Sequence, residues 1–210
     1  MVESYEKQFL DFISTEMTQD LAHDLNHVKR VVKTAKELCV VEGAKLEVVL
    51  PAAYLHDCFS FPKNHLDRAK SSEIAAEKAL SFLVDIGYPS RYHQAIHHAI
   101  VAHSFSANVT PETLEAKIVQ DADRLDALGA IGIARCILVS AALQVDLYDP
   151  EDPFCDSREP NDKLYTVDHF YTKLFRLVDT MQTTAAKVEA QKRTDFMKRY
   201  LEQLGYEIMD

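Results

Sequence analysis

Apolar residues return every three to four positions along most of this chain, the spacing of helices that bury one face. Tyr5, Phe9, Phe12, Ile13 and Met17 predict a first helix, and Leu25, Val28, Val31, Val32, Ala35 and Leu38 a second. Asp24 would cap the start of the second helix and Gly43 would end it. Leu46 to Cys58 is nearly continuous in apolar residues, so a third helix there should be buried on most sides. A fourth opens at Ser71-Ser72-Glu73 and runs toward Gly87, and a fifth follows Pro89 and Ser90 and gives way to a loop after His103. Thr110-Pro111-Glu112 reads as the start of a sixth, which carries Leu114, Ile118, Ala122 and Leu125. Ile131 to Val145, Asp168 to Met181 and Thr184 to Leu204 complete the helical segments. Two stretches lack the period: Phe59 to Lys70, and the acidic, proline-bearing Leu147 to Lys163, whose length is typical of functional or mobile loops.

The pattern predicts an all-α fold, and composition agrees with it. Among 210 residues there are only 5 glycines and 7 prolines, which leaves room for long uninterrupted helices. With 47% hydrophobic residues the chain can fill one core, so a single domain over residues 1–210 is expected. The formal charge of -10 disfavours nucleic acid and anionic membrane as partners, and no basic run interleaved with aromatics appears. No basic-then-apolar leader and no apolar run near the ~20 residues of a membrane span is present, so a cytoplasmic protein is expected. Cys39, Cys58, Cys136 and Cys155 are scattered without C-x-x-C spacing and read as reduced thiols. A homodimer is compatible with the sequence but nothing in it indicates one.

Polar residues inside the apolar segments carry the candidate chemistry. The third helix ends in Leu55-His56-Asp57-Cys58, where an imidazole and a carboxylate adjoin at a desolvated position and need a partner. His27 lies beside the apolar stripe of the second helix, with His23 four positions earlier, and the sixth helix ends in Asp121-Ala122-Asp123-Arg124-Leu125-Asp126. If His27, His56, Asp57 and an aspartate of that last stretch converge between packed helices, two nitrogens and two oxygens surround one cation. Such a donor set suits one divalent transition metal, Mn, Fe, Co, Ni or Zn, with Mg also admitted, and leaves coordination positions open. The loop after His56-Asp57 concentrates Lys63, His65, Arg68 and Lys70, a plausible hold for phosphate. Arg158, Lys163 and Lys173 are the later basic residues that could reach a substrate, although solvated positions are the first expectation for them. The fifth helix holds His93, His97, His98 and His103; position favours His103 and then His98 for acid-base work near neutral pH.

The ordered set His27, His56-Asp57, Asp123 resembles the HD-domain superfamily of metal-dependent phosphohydrolases, over roughly residues 20–130. Phe61-Pro62-Lys63-Asn64-His65, Ala102-His103-Ser104-Phe105-Ser106-Ala107, Asp121 to Gly132, Asp149 to Phe154 and Asp168-His169-Phe170 look like the YedJ/YpgQ-like bacterial subgroup. The resemblance implies a helical bundle with a metal-binding core and a C-terminal helical extension over about 131–210. It also selects Asp123 over Asp121 and Asp126 as the fourth ligand. Other branches take a second metal through a histidine in the helix after His-Asp, where this chain has Ser71-Ser72-Glu73. That counts against a di-iron oxygenase of the HD type.

The activity expected is hydrolysis of a phosphate ester or phosphoanhydride through a metal-activated water. The resemblance implies a small phosphorylated substrate, a nucleotide or a related metabolite. Lys63, Arg68 and Arg124 would hold phosphate, and His103, His98 or Asp126 would move protons. The alternative is a metal- and nucleotide-binding regulatory module without turnover.

Overall fold

The computed structural model describes residues 2–17, 24–62 and 65–208. Helices dominate it: α1 (Glu6–Glu16), α2 (Leu25–Glu42), α3 (Leu46–Leu55), α4 (Ser71–Asp85), α5 (His93–His103), α6 (Leu114–Leu125), α7 (Gly129–Ala142), α8 (Asp168–Thr172) and α9 (Thr184–Ile208). Short 3-10 turns cover Val2–Tyr5, Arg68–Lys70, Ser90–Tyr92 and Leu174–Thr180. Among the described residues there is no strand, only an isolated bridge between Asp146 and Tyr165, so the fold is all-α. None of these helices alone is long and apolar enough to cross a membrane. The helices fall into two compact groups, residues 1–123 and 124–210, divided inside α6.

In the first group α3 is the central element, packed against α1, α2 and α5, while α4 lies along α5. Val49, Leu50, Ala53 and Leu55 of α3 have no exposed surface, as its unbroken apolar character predicts. Pro51 sits inside this helix and has no N–H for the Glu47 carbonyl one turn back. The Tyr88 hydroxyl donates to that carbonyl instead (2.6 Å), which keeps the buried acceptor satisfied. α1 is held by a carboxylate: Glu6 accepts from Lys36 Nζ at 2.7 Å and from the Tyr54 hydroxyl at 2.9 Å.

One helix start differs from the sequence reading for a local reason. α6 begins three residues after Pro111, because the Thr113 hydroxyl accepts the Ala116 N–H (3.1 Å) and becomes the cap. α4 starts at Ser71 as expected; a 3-10 turn over Arg68–Lys70 leads into it, and the Ser71 hydroxyl accepts the Phe61 N–H (3.1 Å) from the preceding loop. α2 starts and stops as expected, with Asp24 Oδ1 accepting the His27 N–H at 2.7 Å and Gly43 at φ 71°, a left-handed backbone that glycine adopts without strain.

In the second group α7 packs on α9, and α9 on the Leu174–Thr180 turn. The glycines of α7 are explained by clearance. A Cβ at residue 132 would collide with the backbone carbonyl of Ala127, and one at Gly129 would press on the Arg193 side chain of α9. The single helix expected over Asp168 to Met181 is instead α8 followed by the 3-10 turn, broken at Lys173 (φ -136°, ψ -57°).

The stretch from Leu147 to Lys163 lacks helices but is densely tied. Asp149 accepts the N–H groups of Glu151 and Asp152, and Asp152 accepts those of Asp156, Ser157 and Arg158. Arg158 grips the buried Asp168 carboxylate with both terminal nitrogens, at 2.5 and 2.8 Å. Its guanidinium also lies 4.9 Å from the centre of the Tyr165 ring. Arg158, which the sequence places in solvent or, failing that, at a substrate, is thus an internal tie. No disulfide joins the cysteines; Cys39, Cys58 and Cys136 are buried thiols and Cys155 is partly exposed.

Candidate metal centre

α3 stops at Leu55, short of the Cys58 expected, and its last turn unwinds so that His56 and Asp57 leave the helix in a tight turn. The Cys58 N–H closes that turn on the Leu55 carbonyl (3.1 Å), and the buried Cys58 thiol donates to the Ala75 carbonyl of α4 (3.3 Å). The His56 side chain is then wholly buried and Asp57 is 16% exposed. His27 arrives from the first turn of α2, oriented by the Asp24 cap, and has no exposed surface. Asp123 arrives from α6, a helix tied to α5 where Gln120 Nε2 donates to the Ala102 carbonyl (2.7 Å).

These four side chains converge. The ligand atoms of His27, His56 and Asp57 all lie within 4.8 Å of one another. His27 Nε2 stands 3.7 Å from Asp57 Oδ2 and 3.4 Å from Asp123 Oδ1, while His56 Nε2 stands 3.5 and 4.0 Å from the same two oxygens. Donor atoms 3.4 to 4.0 Å apart fit around one ion at bond lengths of about 2.1 Å.

Tautomers sharpen the point. His56 Nδ1 faces the Ala53 carbonyl at 2.9 Å, and a carbonyl only accepts, so Nδ1 carries the proton. Burial lowers the pKa of His56, outweighing the Asp57 and Asp123 charges that would raise it. The ring is therefore neutral, with a lone pair on Nε2 aimed at two carboxylates; that atom is buried and has no hydrogen-bond partner. A lone pair facing anionic oxygens without a proton between them is repulsive, and a cation turns it into coordination. The donor set fits a divalent ion of the imidazole- and carboxylate-binding kind.

His103, at the end of α5, joins the group. Its ring packs edge-to-face on His56 with centroids 4.8 Å apart, and its Nε2 lies 3.7 Å from Asp57 Oδ1. Nδ1 donates to the Ile100 carbonyl (2.5 Å). Burial works against its charge, but the Asp57 carboxylate outweighs burial and raises the His103 pKa. Asp123 moves the other way: burial would raise its carboxyl, and the His27 imidazole, with the His103 charge beside it, holds it well below the ordinary range.

Other residues singled out in the sequence make contacts away from this group. His98 Nε2 accepts the Glu112 N–H (2.9 Å) and ties down the segment before α6. The Arg68 Nη1 reaches Ser60 Oγ and the Phe61 carbonyl, which shapes its own loop. In the second group Asp126 pairs with Arg135 Nη1 (2.8 Å), and Arg124 donates to the Thr180 carbonyl (2.8 Å). The Asp126–Arg135 pair has no trace in the sequence, because its members stand nine positions apart across a turn between two helices. Lys63 and His23 lie outside the described residues.

The chain is similar to known proteins over nearly its whole length. The family model described as HD domain matches residues 24–128. The Bacillus subtilis protein YpgQ is 32% identical over 207 residues, covering 96% of this chain and 93% of its own length. The crystal structure of Bacillus subtilis YpgQ in complex with ADP superposes with a TM-score of 0.76 at 30% identity, over 100% of this chain and 98% of that one. An HD-superfamily hydrolase from Bacillus thuringiensis superposes with a TM-score of 0.77 at 33% identity, over 99% and 98% of the two chains.

Proposed function

This chain belongs to the HD-domain family, and we propose that it works as a metal-dependent phosphohydrolase on a nucleotide or a related small phosphorylated metabolite. The observation that carries the reading is the buried, unprotonated and unpartnered Nε2 of His56, set against the carboxylates of Asp57 and Asp123. His27, His56, Asp57 and Asp123 would hold the ion. When bound, it supplies Lewis acidity to a phosphoryl oxygen and lowers the pKa of a water.

The residues around it divide the remaining work. Asp57 turns Oδ2 toward His27 and His56 and Oδ1 toward His103, so one carboxylate serves both the ligand set and the neighbouring imidazole. His103 then holds or passes a proton at Nε2, with Nδ1 kept as a donor by Ile100 and its pKa raised by Asp57. On a six-coordinate ion four protein ligands leave two positions open for water and substrate, which favours catalysis over a purely structural ion. YpgQ, crystallised with ADP, supports a nucleotide as the substrate class.

The test is phosphate and pyrophosphate release from nucleoside mono-, di- and triphosphates with Mn, Co, Ni, Mg or Zn. Turnover with at least one ion is expected, and Asp57→Ala should lose bound metal and turnover together. Metal bound by the wild type with no release from any nucleotide would overturn the nucleotide reading in favour of another phosphorylated metabolite or a binding module.

A further inference from the structure

Between Asp57 and α4 the chain builds a small stack of rings. Phe61 and His65 lie nearly parallel, with centroids 4.2 Å apart and planes 5° from one another, and Phe59 meets Phe61 edge-on at 4.9 Å. The stack is held by more than ring contact. Phe61 donates its N–H to Ser71 Oγ, and Arg68 binds the Phe61 carbonyl from the other side. The His65 N–H closes a turn on the Pro62 carbonyl (2.9 Å), and His65 Nδ1 accepts the Asp67 N–H (3.1 Å). That last bond sets both the plane of the imidazole and its tautomer, with the proton on Nε2.

His65 is nonetheless an exposed residue, with one face on Phe61. An oriented aromatic plane at the surface has no folding task for its outer face. What it offers is a ready surface for another flat ring, at little ordering cost because its orientation is already set. Phe61 is four residues beyond Asp57, so at most about 14 Å of chain separates them. A nucleoside polyphosphate can bridge that span.

We propose that the outer face of His65, backed by Phe61, is the stacking platform for the nucleobase of the substrate. This rests on the nucleotide phosphohydrolase reading and adds its substrate class: nucleoside polyphosphates are favoured over polyphosphates without a base. Stacking contacts a π-face that every base shares, so the platform separates nucleotides from base-free phosphates without choosing among bases.

The experiment compares metal-loaded wild type with His65→Ala and His65→Phe for binding of a non-hydrolysable nucleoside triphosphate and of inorganic tripolyphosphate, by calorimetry. Base stacking is worth about 1 to 3 kcal/mol, so His65→Ala should weaken the nucleotide about tenfold and leave tripolyphosphate unchanged. His65→Phe should recover most of the nucleotide affinity, since it keeps a flat ring on Phe61 and loses only the tether of Nδ1 to the Asp67 N–H. Equal losses for both ligands, no loss for either, or a wild type that binds tripolyphosphate as tightly as the nucleotide would each overturn the platform. The two readings fail separately: absence of turnover removes the hydrolase, whereas the platform is decided by the ratio of the two affinities.

Discussion

Replacing Arg158 by Met leaves the Asp168 carboxylate buried without its cation, since Arg158 provides both terminal nitrogens of a bidentate pair to a side chain with no exposed surface. Breaking a buried pair from one side costs about 3 kcal/mol, and urea unfolding at pH 7 should show that loss. The pH dependence has a definite sign. Burial would raise the Asp168 carboxyl, but Arg158 outweighs it and holds it below the ordinary value. Its contribution is complete above the unfolded carboxylate pKa of about 3.9 and is lost as the pH falls through the lower folded value. In Arg158→Met the unpaired carboxyl moves upward instead, so protonation relieves the variant first. The stability gap should therefore narrow as the pH is lowered toward 4. A gap that stays constant or widens would contradict this account. None of it was legible in the sequence, where Arg158 reads as one more cation in an acidic loop, because a pair between residues ten apart depends on how that loop folds back.

Caps connect the helices to the candidate centre. Asp24 closes the N-terminus of α2 by accepting the His27 N–H, and His27 is a member of the metal group. Asp24→Ala should lower stability by about 1 kcal/mol, the usual value of an N-cap. Because the same bond seats His27, it should also weaken metal affinity several-fold in a metal titration; unchanged affinity would show that packing alone positions the ring. This cap and the Gly43 stop were readable because both act within a few residues of the helix end. The start of α6 was not, since Thr110-Pro111-Glu112 and Thr113 are both good caps by composition. The choice went to Thr113 once His98 of α5 had taken the Glu112 N–H. α3 likewise stops before His56, and that earlier end releases the His-Asp pair into a turn where both side chains face α2 residue His27.

Metal binding should register in the stability of the whole chain, because the four side chains come from α2, the turn after α3, and α6, segments far apart in sequence. An ion held only by the folded state adds about 2.7 kcal/mol at a concentration 100 times its dissociation constant. Chelation should lower the melting temperature, added divalent metal should restore it, and His56→Ala should melt at one temperature in both conditions. A metal-dependent shift that survives in His56→Ala would remove that ring from the ligand set.

By itself the sequence determined the all-helical character, the buried faces, most helix boundaries and the short set of imidazoles and carboxylates able to bind a cation. Those features follow from a 3.6-residue period, caps and residue chemistry, all of which act locally. Tertiary structure decided which of the candidates meet. It brought His103 to Asp57 and gave His98 to a backbone amide, turned Arg158 and Asp126 into partners of Asp168 and Arg135, and laid His65 flat on Phe61. Proximity between side chains from different segments is set by how helices and loops pack together, a sum over many contacts that no local pattern contains.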